Sequence, residues 1–376
     1  MIKELIIGFF GGIAASLIPG VHANTVAEVF LNVFQNDFSL ALIIAVVLST
    51  FSIFQIIPAI LFSIPDSSLS ILPGHSLTLE GKGAYAVKIA LFSMVFSIVF
   101  SLLLYPFFII FLPKFYELIS PFLLYLLILA SLILIISDGI LAGGIFLLAG
   151  VFGILALNLP LHNPLFFAFS GLFAVPSLLN FVERKQKKQF DVKLEYGKFA
   201  SYSFLGTLMG FVSGILPAIN GSSQIAILFS PLLKTRREEF LMITSSIGIS
   251  QVLFSFLTLF SIGKARIGAA AVIGDLVPEF GIKELLNVLG ISLLIMGISI
   301  VLIWLFIEKF SNFVQKRWMA YIVVIFLVGA SYIMGGYLGL LVLATGSAIG
   351  MLPLYLNLRR SNLMAFLIMP TILNYL

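Results

Sequence analysis

The chain is written twice, with the copies 198 residues apart. Pro19-Gly20-Val21-His22-Ala23-Asn24-Thr25 aligns with Pro217-Ala218-Ile219-Asn220-Gly221-Ser222-Ser223. At the same offset Leu61-Phe62-Ser63-Ile64 meets the identical Leu259-Phe260-Ser261-Ile262. Towards the ends Pro176-Ser177-Leu178-Leu179-Asn180 pairs with Pro370-Thr371-Ile372-Leu373-Asn374, the offset having slipped by a few residues. The copies are read as 1–180 and 200–376, joined by a basic linker at 181–199. An apolar chain built from two copies, each opening on a proline-broken polar motif, is the construction of many secondary transporters.

Composition narrows the solvent in which this duplication folds. Hydrophobic residues make up 61% of the chain and charged residues 10%, against about 25% charged in soluble domains. The expected fold class is therefore an all-α polytopic membrane protein, with no soluble domain to house a separate enzyme. The absence of cysteine excludes disulfides, thiolate metal sites and cysteine nucleophiles. Lys3 ahead of an apolar run imitates a signal peptide. Its counterpart at 202–233 lies deep inside the chain, so residues 1–34 are read as part of the mature fold.

Each copy is expected to hold one interrupted segment and five continuous spans. The interrupted segments are 5–34 and 202–233. The spans follow at 39–63, 85–111, 119–137, 139–157 and 163–180, then at 239–262, 285–307, 319–335, 337–356 and 361–376. An arm of about 14 residues reaches roughly 21 Å, short of the ~30 Å hydrocarbon core. Such an arm either enters and leaves by one face as a re-entrant hairpin or stacks with its partner as a broken spanning helix. Re-entrant hairpins leave five spans per copy, which inverts the second copy and puts sixteen basic residues, those of the linker among them, on the cytoplasmic side against five outside. Broken spanning helices give twelve against nine. The positive-inside rule favours the inverted, re-entrant arrangement with a cytoplasmic linker.

Backbone turns inside a bilayer are tolerated where they line a protein-walled or water-filled cavity. Pro19 and Pro217 end the first arms. Asn24-Thr25 and Ser222-Ser223 then supply residue types that cap helix N-termini. Free N–H groups and the positive dipole end there suit an anion without a basic side chain. The candidate substrate-binding residues are Pro19, Gly20, His22, Asn24 and Thr25 at the first tip, and Pro217, Asn220, Gly221, Ser222 and Ser223 at the second. Glu28 lies one turn beyond Asn24 on the same helical face. An intramembrane carboxylate is costly and functional by default, so Glu28, together with Gln251, is assigned to ion coupling. The neighbouring set Ser49, Thr50, Ser52, Gln55, Thr244, Ser245, Ser246 and Ser250 either lines the cavity wall or bonds helix to helix. Asp138 is expected in a solvated turn, and Asp275 and Glu279 at the interface. His75 and His162 are read as structural. No metal spacing or catalytic constellation is present in the sequence, and no cofactor beyond a coupling Na+ or H+ is expected.

Ile18-Pro19-Gly20 with Asn24-Thr25, then Leu72-Pro73-Gly74-His75 running into Gly81-Lys82-Gly83, resembles the large membrane subunit of tripartite tricarboxylate transporters. The nearest likeness is to the compact single-chain archaeal type. Gly171-Leu172-Phe173-Ala174-Val175-Pro176 resembles that family's repeat end. The resemblance implies ion-driven uptake of a di- or tricarboxylate, with substrate contacts at the two tips. It also implies an extracytoplasmic binding protein and a small membrane subunit as partners, and a homodimer is a further expectation. The chain departs from the family at Ala218, where a glycine is expected after the proline. The paired tips also resemble those of polyprenyl-phosphate translocases, but Ala23-Asn24-Thr25 matches that family's Gly-Gly-Thr pattern poorly. A lipid-phosphate translocase is thus the alternative to the secondary transporter.

Overall fold

The computed structural model describes residues 2–17, 22–34, 37–61, 73–136, 138–162, 164–180, 192, 196–216, 222, 225–226, 235–311 and 317–376. The first copy opens with the arms α1 (Ile2–Leu17) and α2 (Ala23–Val33). Helices α3 (Phe38–Phe54) and α4 (Ile56–Leu61) form its first span, interrupted at Gln55, and α5 (Pro73–Leu79) is a short helix in the connection after it. Next come α6 (Gly83–Ile119), α7 (Leu123–Ile136) and α8 (Ile140–Leu157). Helix α9 (Pro164–Phe169) passes through a π-helical turn at Ser170–Ala174 into α10 (Val175–Leu179).

The second copy opens with the arm α11 (Phe199–Ile215), whose returning partner is described only at 222 and 225–226. It continues with α12 (Arg237–Ile262), the short α13 (Gly268–Leu276) and α14 (Ile282–Ser311). Helix α15 (Arg317–Tyr355) and α16 (Ala365–Tyr375) close the chain. Each of the ten expected spans has a helical counterpart, with α6 running past 111 to Ile119 through Pro106 and Pro113. Six helical stretches among the described residues are long and apolar enough to cross a membrane, so the chain is a multi-pass membrane protein. The turn expected between 335 and 337 falls at Gly336, whose φ of 57° breaks α15 into two arms. Gly139 makes the corresponding turn between α7 and α8 at φ 88°. A left-handed backbone there costs glycine nothing and a branched residue a great deal.

The arms cross their neighbours in matching ways. A methyl group on Gly8 of α1 would come within 2.7 Å of the Ile43 carbonyl oxygen, and one on Gly206 of α11 within 2.6 Å of the Ile243 oxygen. Gly12 is pressed against Val47 and Thr50, and Gly210 against Ile247 and Ser250. The glycines keep the 198-residue offset, while the residues they touch on α3 and α12 are 200 apart. By contact, Thr50 therefore corresponds to Ser250 and Phe51 to Gln251, two residues away from the 198-residue offset.

The halves of the chain are interleaved. Helix α6 of the first copy packs along α11 and α12 of the second, and α14 of the second packs along α3 of the first. The α6 contact is stitched by hydroxyls: Ser97 donates to the Ser246 carbonyl at 2.9 Å, Ser246 to the Ser93 carbonyl at 3.1 Å and Tyr105 to the Leu253 carbonyl at 2.8 Å. Ser246 is therefore helix glue and not cavity lining. At the other end Gly153 of α8 abuts the Phe366 carbonyl of α16, and Gly350 of α15 abuts the Leu172 carbonyl, a reciprocal exchange between copies.

Apolar side chains gather in two clusters. The first takes in α1 to α6 with α11 to α14. The second is built on α7 to α10 with α15 and α16, and it reaches Met209 of α11, Ile225 and Ala226 of the second interrupted segment, and Ile243 and Ile247 of α12.

Two charges depart from expectation. Asp138 is half-buried with its side chain 7% exposed, its carboxylate 3.2 Å from the Arg359 Nε and accepting from Asn362 Nδ2 at 2.9 Å. Arg360, counted as a loop charge, is 1% exposed. Its guanidinium donates to Ser177 Oγ at 2.6 Å and to the Leu172 and Phe173 carbonyls of the π-helical turn, where the backbone departs from the α-helical pattern. Burial pushes its pKa down to about 10, which leaves it charged at neutral pH.

Candidate functional site

His22, and not Asn24 or Thr25, caps the returning arm of the first hairpin. Its Nδ1 accepts from the Asn24 N–H at 3.2 Å while its carbonyl accepts from the Thr25 N–H at 3.0 Å. Its ring lies against Phe51 of α3 with centroids 4.6 Å apart. Asn24 and Thr25 thus fall in the first turn of α2, and Asn24 is released for a distant task. Its Oδ1 accepts from the Ala269 N–H of α13 at 2.8 Å, a side-chain cap on a helix 245 residues away. Gly268 leaves room for this, since a methyl group there would lie 2.9 Å from the Asn24 Cγ. One turn along α2, Glu28 is half-buried and has Asp275 of α13 as a like-charged neighbour.

The second interrupted segment meets the same short stretch at the end of its first arm, α11. Arg266, two residues before α13, donates from Nε to the Ile215 carbonyl at the end of α11 at 3.1 Å and from Nη2 to Tyr116 Oη at 3.2 Å. Ser222 lies over α12 where Gly248 has no side chain, so that a methyl group at 248 would sit 3.2 Å from the Ser222 Oγ. One turn further along, Gln251 is 5% exposed and its Nε2 has no hydrogen-bond partner. Thr50 Oγ1 on α3 is likewise buried without a partner.

Arg266 and Ala269 are three residues apart, at most about 11 Å between Cα atoms. One hydrogen-bonds the end of the second hairpin's first arm and the other the first hairpin's returning arm. This segment ties Asn24, in the first turn of α2, to the end of α11, the arm that leads into the second tip. Pro19, Gly20, Pro217, Asn220, Gly221 and Ser223 lie outside the described residues. Of the two coupling candidates, Glu28 stands on the first-hairpin side and Gln251 on the α12 side.

Arg266 and α13 are the contributions that sequence reasoning missed. Arg266 was expected as a loop charge outside, and 268–276 is too short for a span. The duplication itself held a signal: α13 overlaps the 198-residue shift of α5, which begins at the Pro73-Gly74-His75 motif. There His75 Nδ1 lies 3.0 Å from the Ile60 carbonyl and Thr78 donates to the same oxygen at 2.9 Å, so His75 ties α5 to the end of α4. Of the expected wall residues, Ser49, Ser52, Thr244 and Ser250 bond carbonyls of their own helices.

Chemically, the arrangement holds helix starts, neutral amides, a hydroxyl and one guanidinium around two hairpins. Helix starts and amide donors are groups that suit an anion, and among the described residues no nucleophile is poised beside a base. Residues 4–365 match the model of a family described as the tripartite tricarboxylate transporter TctA family. An uncharacterized protein of Methanocaldococcus jannaschii is 30% identical over 395 residues, covering 99% of this chain and 98% of that relative. No solved structure matches the chain.

Proposed function

Because the chain belongs to the tripartite tricarboxylate transporter TctA family, we propose that it is the membrane component that carries a small organic anion across the bilayer by alternating access. The family's name points to di- and tricarboxylates as the class to test first. On this reading the two interrupted segments are re-entrant hairpins of inverted repeats, and the anion is held between them. The carrying observation is the Arg266–Ala269 segment, hydrogen-bonded to both hairpins, with Asn24 on one side and the end of α11 on the other.

The two apolar clusters suggest how access alternates. Helices α6 and α14 pack within the cluster that holds α1, α2 and α11. The body against which that cluster moves is α7 to α10 with α15 and α16, meeting it at Ile225 and Ala226 and along one side of α11 and α12, at Met209, Ile243 and Ile247. Glu28 is the coupling group, holding a proton or a sodium ion as the hairpins close. Gln251, grouped with it from the sequence, has an unpartnered N–H, a donor that no cation would accept as a ligand; it goes with the anion. The linker at 181–199 faces the cytoplasm, and an extracytoplasmic binding protein and a small membrane subunit complete the assembly.

Thermal stabilisation of the purified protein tests this. Citrate, succinate and polyprenyl phosphate are screened with and without sodium, since a ligand of the folded state raises Tm by mass action. A carboxylate is expected to raise Tm, and the shift is expected to vanish in Asn24→Ala and Ser222→Ala. A shift with polyprenyl phosphate alone overturns the reading.

A further inference from the structure

The two hairpins rest on unlike walls. The glycine crossings put Phe51 of α3 at the place that Gln251 holds on α12. Extending that register along one helical face at i, i+4 and i+7, the first copy presents Ile44, Leu48 and Phe51 where the second presents Thr244, Gly248 and Gln251. All three first-copy residues are buried, and the His22 ring packs on Phe51. In the second copy the Ser222 hydroxyl lies over Gly248, and the Gln251 amide is buried with its nitrogen unpartnered. A buried donor without an acceptor costs stability, and an acceptor arriving beside Ser222 would satisfy the Gln251 amide.

Charge divides the same way. Arg266 stands at the end of the second hairpin's first arm. Glu28, with Asp275 close by, stands on the first hairpin's side. An anion with a carboxylate at both ends would set one of them against the buried Ile44, Leu48 and Phe51 wall, which offers it no polar side chain.

We infer that the hairpins divide the cargo between them: Gln251 and Ser222 of the second half read a carboxylate, and the His22–Phe51 face of the first half packs an apolar body. The cargo class is a monocarboxylate with a branched or aromatic body. This rests on the anion-transport reading and narrows its substrate. Gln251 is the residue that recognises the charged end, and Phe51 sets specificity at the other.

The test is binding of phenylacetate, 3-methylbutanoate, succinate and citrate to the full-length purified protein, by calorimetry and thermal shift. Phenylacetate and 3-methylbutanoate are expected to bind at least about tenfold more tightly than the other two. Gln251→Leu is expected to abolish that binding while leaving the ligand-free Tm unchanged or higher, because it removes an unpaired buried amide. Phe51→Gln, which copies the second wall onto the first, is expected to shift preference towards succinate. Tighter binding of citrate or succinate by the unaltered protein overturns the inference and leaves anion transport standing. A ligand-free Tm that falls in Gln251→Leu assigns Gln251 a structural role and also overturns it. Silence from all four acids, with a response to polyprenyl phosphate, sinks both.

Discussion

Asn24 shows how one side chain changes role when its tertiary partner is known. Sequence placed it among the capping residues of its own helix, yet His22 does that work and Asn24 caps α13 instead. Local rules singled out this stretch because a Pro-broken polar turn in an apolar chain is conspicuous. They could not assign Oδ1 to Ala269, because nothing near Asn24 encodes a partner 245 residues away. Arg266 was missed for the same reason: as a lone letter it is a loop charge, and only its bond to Ile215 makes it part of the site. Asn24→Ala is expected to lose the cap, costing about 0.5–2 kcal/mol. Asn24→Asp keeps an acceptor at a helix start that favours negative charge, so its stability is expected to match the unaltered protein while anion affinity falls through repulsion. Denaturant titration alongside ligand binding separates the two effects.

At the level of elements, the long helices were legible and the short ones were not. An apolar run of 18 residues or more has few alternatives to a span. The seven residues of α5 and nine of α13 leave no comparable signature. By contact, the pairing of α3 with α12 also lies two residues away from the 198-residue offset. Sequence alignment weighs letters, whereas the helices are registered by where Gly8, Gly12, Gly206 and Gly210 let backbones approach. Enlarging such a contact should part the helices: Gly206→Leu would drive a side chain into the Ile243 carbonyl and Ser246, costing more than the ~1–3 kcal/mol of ordinary overpacking. Gly8→Leu, at the matching crossing of α1 and α3, is expected to cost about the same. A melting-temperature loss in one variant only would show that the crossings are not equivalent.

Across the whole molecule, the exchange of helices means that neither copy is a complete packing unit. Without the second copy, α6 loses α11 and α12, with its Ser97 and Tyr105 hydroxyls left without acceptors. Without the first, α14 loses α3 and α16 loses α8. Residues 1–180 and 200–376 produced separately are therefore expected to fail to give monodisperse protein. Co-expressed, they are expected to associate and recover the melting behaviour of the intact chain, as size-exclusion chromatography and thermal scans would report.

By itself the sequence determined the membrane as solvent, the number and rough bounds of the spans, the duplication and the two interrupted segments. Each of these follows from composition, run length or self-similarity, which are properties of neighbouring letters. Only the tertiary structure decided that the two parts of the chain interleave, that the stretch from Arg266 to Ala269 bonds both α2 and the end of α11, that Arg360 is buried against a π-helical turn, and that the His22 ring packs on Phe51 while Ser222 lies over Gly248. Those features depend on which surfaces meet across hundreds of residues, where backbone approach and unsatisfied polar groups select the partner and sequence distance carries no information.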